Sequence, residues 1–134
     1  MQNGNSFTNT SWSERFYTEQ DALPRLSTVK ATNTFSGAIS GEGILRYVMI
    51  YTSEEAGTFT GLQTITGAVD GQRGSFTVRE DGSWQGMRIS STMTVVEGSG
   101  TGALSGISGT ARYTHDGGEN PACPYTFDFT LDRG

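Results

Sequence analysis

Two carboxylates carry the chemistry that this sequence offers. Glu14 and Glu80 share the alternation parity of the apolar residues around them: Trp12, Glu14 and Phe16 in one segment, Phe76, Val78 and Glu80 in another. A carboxylate turned toward an apolar interior must pair, shift its pKa or touch water. Such groups are candidates for general acid/base work. Asn33, Gln63 and Tyr47 lie on inward parity and could orient a substrate; Ser91, His115 and Tyr113 lie on it too. Trp12, Asn33, Tyr47, Tyr51, Gln63 and Met93 together outline a binding site for a small apolar or aromatic molecule. A plainer reading stands beside this one. Glu14, Glu80 and His115 fall near the ends of their segments, where a polar group is simply wet, and the aromatic set could be ordinary core.

The remaining constellations are weak. His115 precedes Asp116 at a strand end, but no nucleophile is signalled by local spacing, and a surface turn explains the pair. Cys123, the only cysteine, has no neighbour in sequence that would activate it. A single cysteine excludes an intrachain disulfide and zinc sites built on cysteine pairs. Gly98-Ser99-Gly100-Thr101-Gly102 fits a loose dinucleotide pattern, but Gly106 and Gly109 prevent the helix that pattern needs. No metal site and no cofactor is expected.

The elements that must position these residues are strands. Alternation runs through segments 6–17, 25–36, 43–52, 58–69, 74–80, 85–97, 109–115 and 124–132, with Val29, Ala31 and Phe35, or Leu45, Tyr47, Met49 and Tyr51, on one face. Segment 85–97 puts Met87, Ile89, Ser91, Met93 and Val95 together. Glycine is frequent, at 19 of 134 residues, and helical periodicity is nearly absent. The expectation is one domain over 1–134: an all-β, eight-stranded, antiparallel up-and-down barrel, able to enclose one small ligand.

Three near-copies of one phrase mark its turns: Gly37-Ala38-Ile39-Ser40-Gly41, Gly67-Ala68-Val69-Asp70-Gly71 and Gly102-Ala103-Leu104-Ser105-Gly106. They start 30 and 35 residues apart, room for two strands, so all three fall at one end. Ile39, Val69 and Leu104 should plug that end. The loops Thr18–Pro24, Ser53–Gly57, Asp81–Trp84 and Asp116–Pro124 should surround a mouth at the other.

The net charge of −5 and scattered basic residues predict no nucleic-acid partner and no anionic membrane surface. No apolar run is long enough to span a bilayer, and the polar start Met-Gln-Asn-Gly has no signal-peptide character, so a cytoplasmic location is expected. A small apolar ligand is the expected partner. Outward-facing Ile44, Val48 and Ile50 could form a homo-oligomer contact, or lie beneath the N-terminal arm.

The runs Gly41-Glu42-Gly43…Tyr47…Tyr51, Phe59…Gly61-Leu62…Gly67…Gly71…Gly74-Ser75-Phe76 and Val95-Val96-Glu97-Gly98-Ser99-Gly100-Thr101-Gly102 resemble a bacterial domain-of-unknown-function family, DUF3224. The similarity covers Trp12 to Leu131. It implies the same barrel, of the allene-oxide-cyclase-like, calycin-like kind, and no established activity. The family tends to carry an acid, a His and a Trp where this chain has Gln63, Glu80 and Met93. The resemblance therefore brings no acid/base role to those positions. Three functions remain: a binding module for a small apolar or aromatic molecule, a cofactor-independent isomerase or cyclase using the barrel carboxylates, or a filled structural barrel that oligomerises.

Overall fold

Alternation in the sequence becomes alternation of burial. Val29, Ala31, Asn33 and Phe35 are buried while Lys30, Thr34 and Ser36 are exposed, as an extended chain with one wet face requires. The computed structural model describes residues 4–19, 22–117 and 121–131. The long strands are β1 (Ser6–Phe16), β2 (Arg25–Ser36), β3 (Ile39–Tyr51), β4 (Ala56–Val69), β5 (Gln72–Gln85), β6 (Arg88–Val95), β8 (Ile107–His115) and β9 (Cys123–Leu131), with β7 (Thr101–Gly102) a two-residue strand. No helix among the described residues is long and apolar enough to cross a membrane.

Every pairing is antiparallel, in the order β1, β2, β3, β4, β5, β6, β8, β9 and back to β1. The chain is therefore the expected eight-stranded barrel, with one addition. The glycine-rich run after β6 contributes β7, which pairs Thr101 with Ser75 and Gly102 with Gly74. The pairing of β6 with β5 begins only at Val78, so the first part of β5 needs other partners. Thr101 Oγ1 accepts from Ser75 N at 3.0 Å, and Ser99 Oγ accepts from Thr77 N at 3.0 Å.

The three glycine turns meet at one end, as expected. Asp70 and Gly71 form a two-residue turn with φ of 52° and 80°, a primed turn that matches strand twist. Asp70 N donates to Ala38 O at 3.1 Å, and Ala103 N donates to Arg73 O at 2.8 Å, tying the turns together. Ile39, Val69 and Leu104 are buried beneath them in the larger of two core clusters, with Phe76, Ile65 and Ile107. The second cluster, Val29, Ala31, Leu45, Tyr47, Met49 and Phe59, occupies the other half.

Three expectations are corrected. Asp81–Trp84 is not a mouth loop. It lies within β5, which continues to Gln85 because Gly82 pairs with Ser91 and Trp84 with Ile89. The turn is at Gly86 and Met87, so Met87, expected inside, is 69% exposed. Segment 6–17 is not one regular strand: the β1–β2 ladder steps from Asn9↔Asn33 to Ser11↔Thr32, and Thr10 is an extra residue, a β-bulge. Parity counted back from Trp12 would turn Phe7 and Asn9 outward, whereas the bulge turns both in. Positions 1–3, 20–21 and 118–120, within the expected N-terminal arm and two mouth loops, lie outside the described residues, as does 132.

Among the described residues closure is uneven: β1 meets β9 at Ser6↔Pro124 and Phe7↔Cys123, and Tyr125 N donates to Asn5 O at 3.3 Å. On the outer surface Ile44 and Val48 are exposed, with Leu62 beside them, and Ile50 is half-buried. β1 does not lie over this face; it is a ring strand beside β2.

Candidate functional site

The mouth half of the barrel encloses a cavity of about 340 Å³. Strands β1 to β6, β8 and β9 reach its wall, so a residue there is aimed by its parity and by the pairing register. Most of the surface is apolar: Phe7, Trp12, Phe59, Trp84, Leu45 and Ile89. Two glycines make room for the large rings. A Cβ at Gly82 would collide with the Phe59 ring, and one at Gly57 with the Trp84 ring. Tyr51 meets Trp84 edge-on at 5.0 Å between centroids, and Tyr47 meets Phe59 at 4.9 Å.

The cavity floor is polar. Asn9 Nδ2 donates to Asn33 Oδ1 at 3.2 Å, Asn33 Nδ2 donates to Gln63 Oε1 at 3.0 Å, and Gln63 Nε2 lies 3.9 Å from Met93 Sδ. This row crosses β1, β2, β4 and β6. Asn9 and Asn33 face the cavity, while Gln63 and Met93 are buried below it. Asn9 Nδ2 also reaches Ser11 O and Thr32 O, the carbonyls beside the bulge, at 2.9 and 3.0 Å.

Glu80 is fully buried at mid-strand, not wet at a strand end. Tyr47 donates its hydroxyl to Oε1 at 2.6 Å; Ser91 and Tyr113 donate theirs to Oε2 at 2.8 and 2.7 Å. Burial raises the Glu80 pKa above its ordinary value, the three hydroxyl donors pull it back, and the like charge of Asp81 adds to the rise. Glu80 has no ion-pair partner among the described residues. Burial holds the Tyr47 and Tyr113 hydroxyls well above the ordinary phenol value, and the Glu80 charge adds to this. Both tyrosines line the cavity, so the carboxylate lies one hydroxyl behind its wall.

Glu14 forms a separate group at the rim. Its Oε2 accepts from Tyr51 and Ser27 hydroxyls, both at 2.6 Å, and its Oε1 from Trp12 Nε1 at 3.3 Å. Tyr51 is pushed up to about 12, by burial first and then by its bond to Glu14. The Arg25 guanidinium stacks on Tyr51 at 4.9 Å. Glu14 and Glu80 thus sit in different networks rather than as one pair.

Of the residues expected to bind, Trp12, Asn33 and Tyr47 line the cavity, whereas Tyr51, Gln63 and Met93 stand behind it. Sequence reasoning turned Ser91 and Tyr113 inward without joining them to Glu80. The joining signal is the register, Glu80↔Met93 and Ser91↔Tyr113, which alternation does not contain. Ser27 shares the parity of Val29, and counting two residues further back would have found it. His115 does line the mouth, and its Nδ1 accepts from Gly117 N at 2.9 Å. Cys123 lines it too; burial, then the Glu80 charge, push its thiol up to about 12, away from nucleophilic use. Among the described residues no cluster of three or more His, Cys, Asp or Glu could hold a metal ion.

The model of a family described as a protein of unknown function, DUF3224, matches residues 4–129. The chain belongs to DUF3224. All residues that line the cavity, from Phe7 to Cys123, lie within the DUF3224 match. A solved DUF3224 structure, that of a protein with unknown function from Shewanella oneidensis MR-1, is similar to it with a TM-score of 0.68. The two share 19% identity over 96% of this chain and 98% of the other, a likeness of fold. No curated protein matches the chain.

Proposed function

We propose that the barrel binds a small, largely apolar or aromatic molecule above the polar floor. The observation that supports this is the cavity itself. Its volume of about 340 Å³ falls within the usual range of small-molecule sites, and apolar walls surround a few convergent polar groups. Trp12, Asn33 and Tyr47 would touch the ligand. Tyr51 would fix the rim through Glu14, and Gln63 with Met93 would hold the floor. The test is a thermal-shift panel of naphthalenes, indoles and benzyl compounds, read together with tryptophan fluorescence. Stabilisation by several members, with a change in emission from Trp12 and Trp84, is expected. No stabiliser across the panel would remove the reading.

A second reading rests on Glu80 behind two cavity-lining tyrosines. A cofactor-independent isomerase or cyclase could use it. The Tyr113 oxygen would take a proton from the ligand as the tyrosine's own proton passes to Glu80. Glu14, at the rim, would then be a second acid. Replacing Glu80 by Gln should abolish turnover of any substrate found while leaving its binding. A filled barrel that oligomerises through Ile44, Val48 and Ile50 draws less support, because a cavity of about 340 Å³ lies in its mouth half.

A further inference from the structure

We infer that the ligand carries a positive charge: the cavity is built for an amine or quaternary ammonium group attached to an apolar or aromatic body. This rests on the binding reading above and narrows it. The first ground is charge. Glu80 accepts three hydroxyl hydrogen bonds; those from Tyr47 and Tyr113, at 2.6 and 2.7 Å, have the short lengths of charge-assisted bonds to a carboxylate, and that from Ser91 is 2.8 Å. All three partners are neutral, and no described Lys, Arg or His forms an ion pair with it. Arg25 is engaged at the rim, on Phe16 and Tyr51 and near Glu54. His115 accepts the backbone N–H of Gly117 at Nδ1. A buried anion without a countercharge attracts a cation in the nearest space open to one. That space is the cavity.

The second ground is the wall. Phe7, Trp12, Tyr47, Phe59, Trp84 and Tyr113 turn aromatic surface to the cavity, and ring faces attract cations. Tyr47 and Tyr113 add a second attraction. A phenol that donates to a carboxylate gains negative character on oxygen and ring alike. Each has given its only hydrogen to Glu80, so its oxygen can accept from a ligand N–H. An anionic ligand would meet Glu80 and Glu14, and no Lys or Arg is among the described residues of the wall.

Four probes of one shape separate the possibilities at neutral pH: benzyltrimethylammonium, benzylamine, benzyl alcohol and phenylacetate, each titrated calorimetrically into the intact protein. Both cations should bind about tenfold tighter than the alcohol, the size expected of a desolvated cation–π contact. Phenylacetate should not bind. In Glu80→Gln the preference should shrink to about threefold or less while alcohol binding persists. In Glu42→Gln, on the exposed outer face of β3, it should remain. The wild-type ranking stands as a test even if Glu80→Gln fails to fold, and Trp84→Leu, which weakens the wall alone, should lower cation affinity more than alcohol affinity. The inference is overturned if the alcohol or phenylacetate binds as tightly as the cations, or if the preference survives Glu80→Gln. A neutral probe that binds while the cations do not defeats this inference and leaves the binding function standing. Silence from all four probes and from the aromatic panel defeats both.

Discussion

Four of the five tyrosines, Tyr47, Tyr51, Tyr113 and Tyr125, have hydroxyls that burial drives above the ordinary value of 10.0. For an acid whose folded pKa is raised, the linked stability is fully present below the unfolded value and is lost as pH rises through the folded one. These four groups therefore leave the barrel unaffected below pH 10 and weaken it progressively above. Phenolate absorbance from them should appear together with loss of β-sheet circular dichroism, in one transition. If the four ionise near pH 10 while the sheet stays intact, their hydroxyls are not held as described. The burial behind this was partly legible in the sequence: Tyr47, Tyr51, Tyr113 and Tyr125 all lie on inward parity. Their partners were not. Tyr47 and Tyr113 come from strands that are not neighbours, and both reach Glu80 on a third. A meeting across the barrel depends on strand stagger, which no run of alternating residues encodes.

At the level of the strand, parity worked wherever the ladder is regular and failed where a residue is spare. β2, β3 and β4 face as expected. β5 was cut short because Glu80-Asp81-Gly82 looks like a turn. Its glycine instead clears space for Phe59 from the adjoining strand. The plug was legible because three similar phrases must share one end of an up-and-down sheet. Its energetic weight can be measured by contrast. Leu104 is fully buried and Leu62 is 49% exposed. Leu104→Ala should cost about 3 kcal/mol, as large-to-small core changes do. Leu62→Ala should cost about 0.5 kcal/mol or less, as surface changes do. Urea denaturation of the two variants decides it; equal losses would mean that the glycine turns, and not the three aliphatic residues, close that end.

For the molecule as a whole, the uneven closure sets the order of opening. β3 is paired along both edges for most of its length, whereas among the described residues β1 and β9 share two residue pairs. Among the described residues this seam has the shortest ladder of the ring strands, and the cavity opens beside it, between Trp12 on one side and Pro121 and Cys123 on the other. Native-state hydrogen exchange should show amides of β1 and β9 opening at lower free energy than those of β3 and β4. A ligand in the cavity should slow the first pair more than the second. Uniform protection around the ring would show that the seam is locked as firmly as the longer ladders. Nothing in the sequence distinguishes β1 and β9 as the loosely joined pair. Alternation tells which way a side chain faces, and the extent of a ladder follows from how far two strands slide past each other.

Thr10 has no counterpart on β2. Excising it would leave Phe7, Asn9, Trp12 and Glu14 facing where they now face, since the remaining residues would alternate without interruption. What would vanish is the bend, and with it the angle at which the indole of Trp12 overhangs the aperture. The shape of the doorway is thereby separable from the character of the room behind it: one spare residue bends the strand, while the residues on either side keep the faces they present.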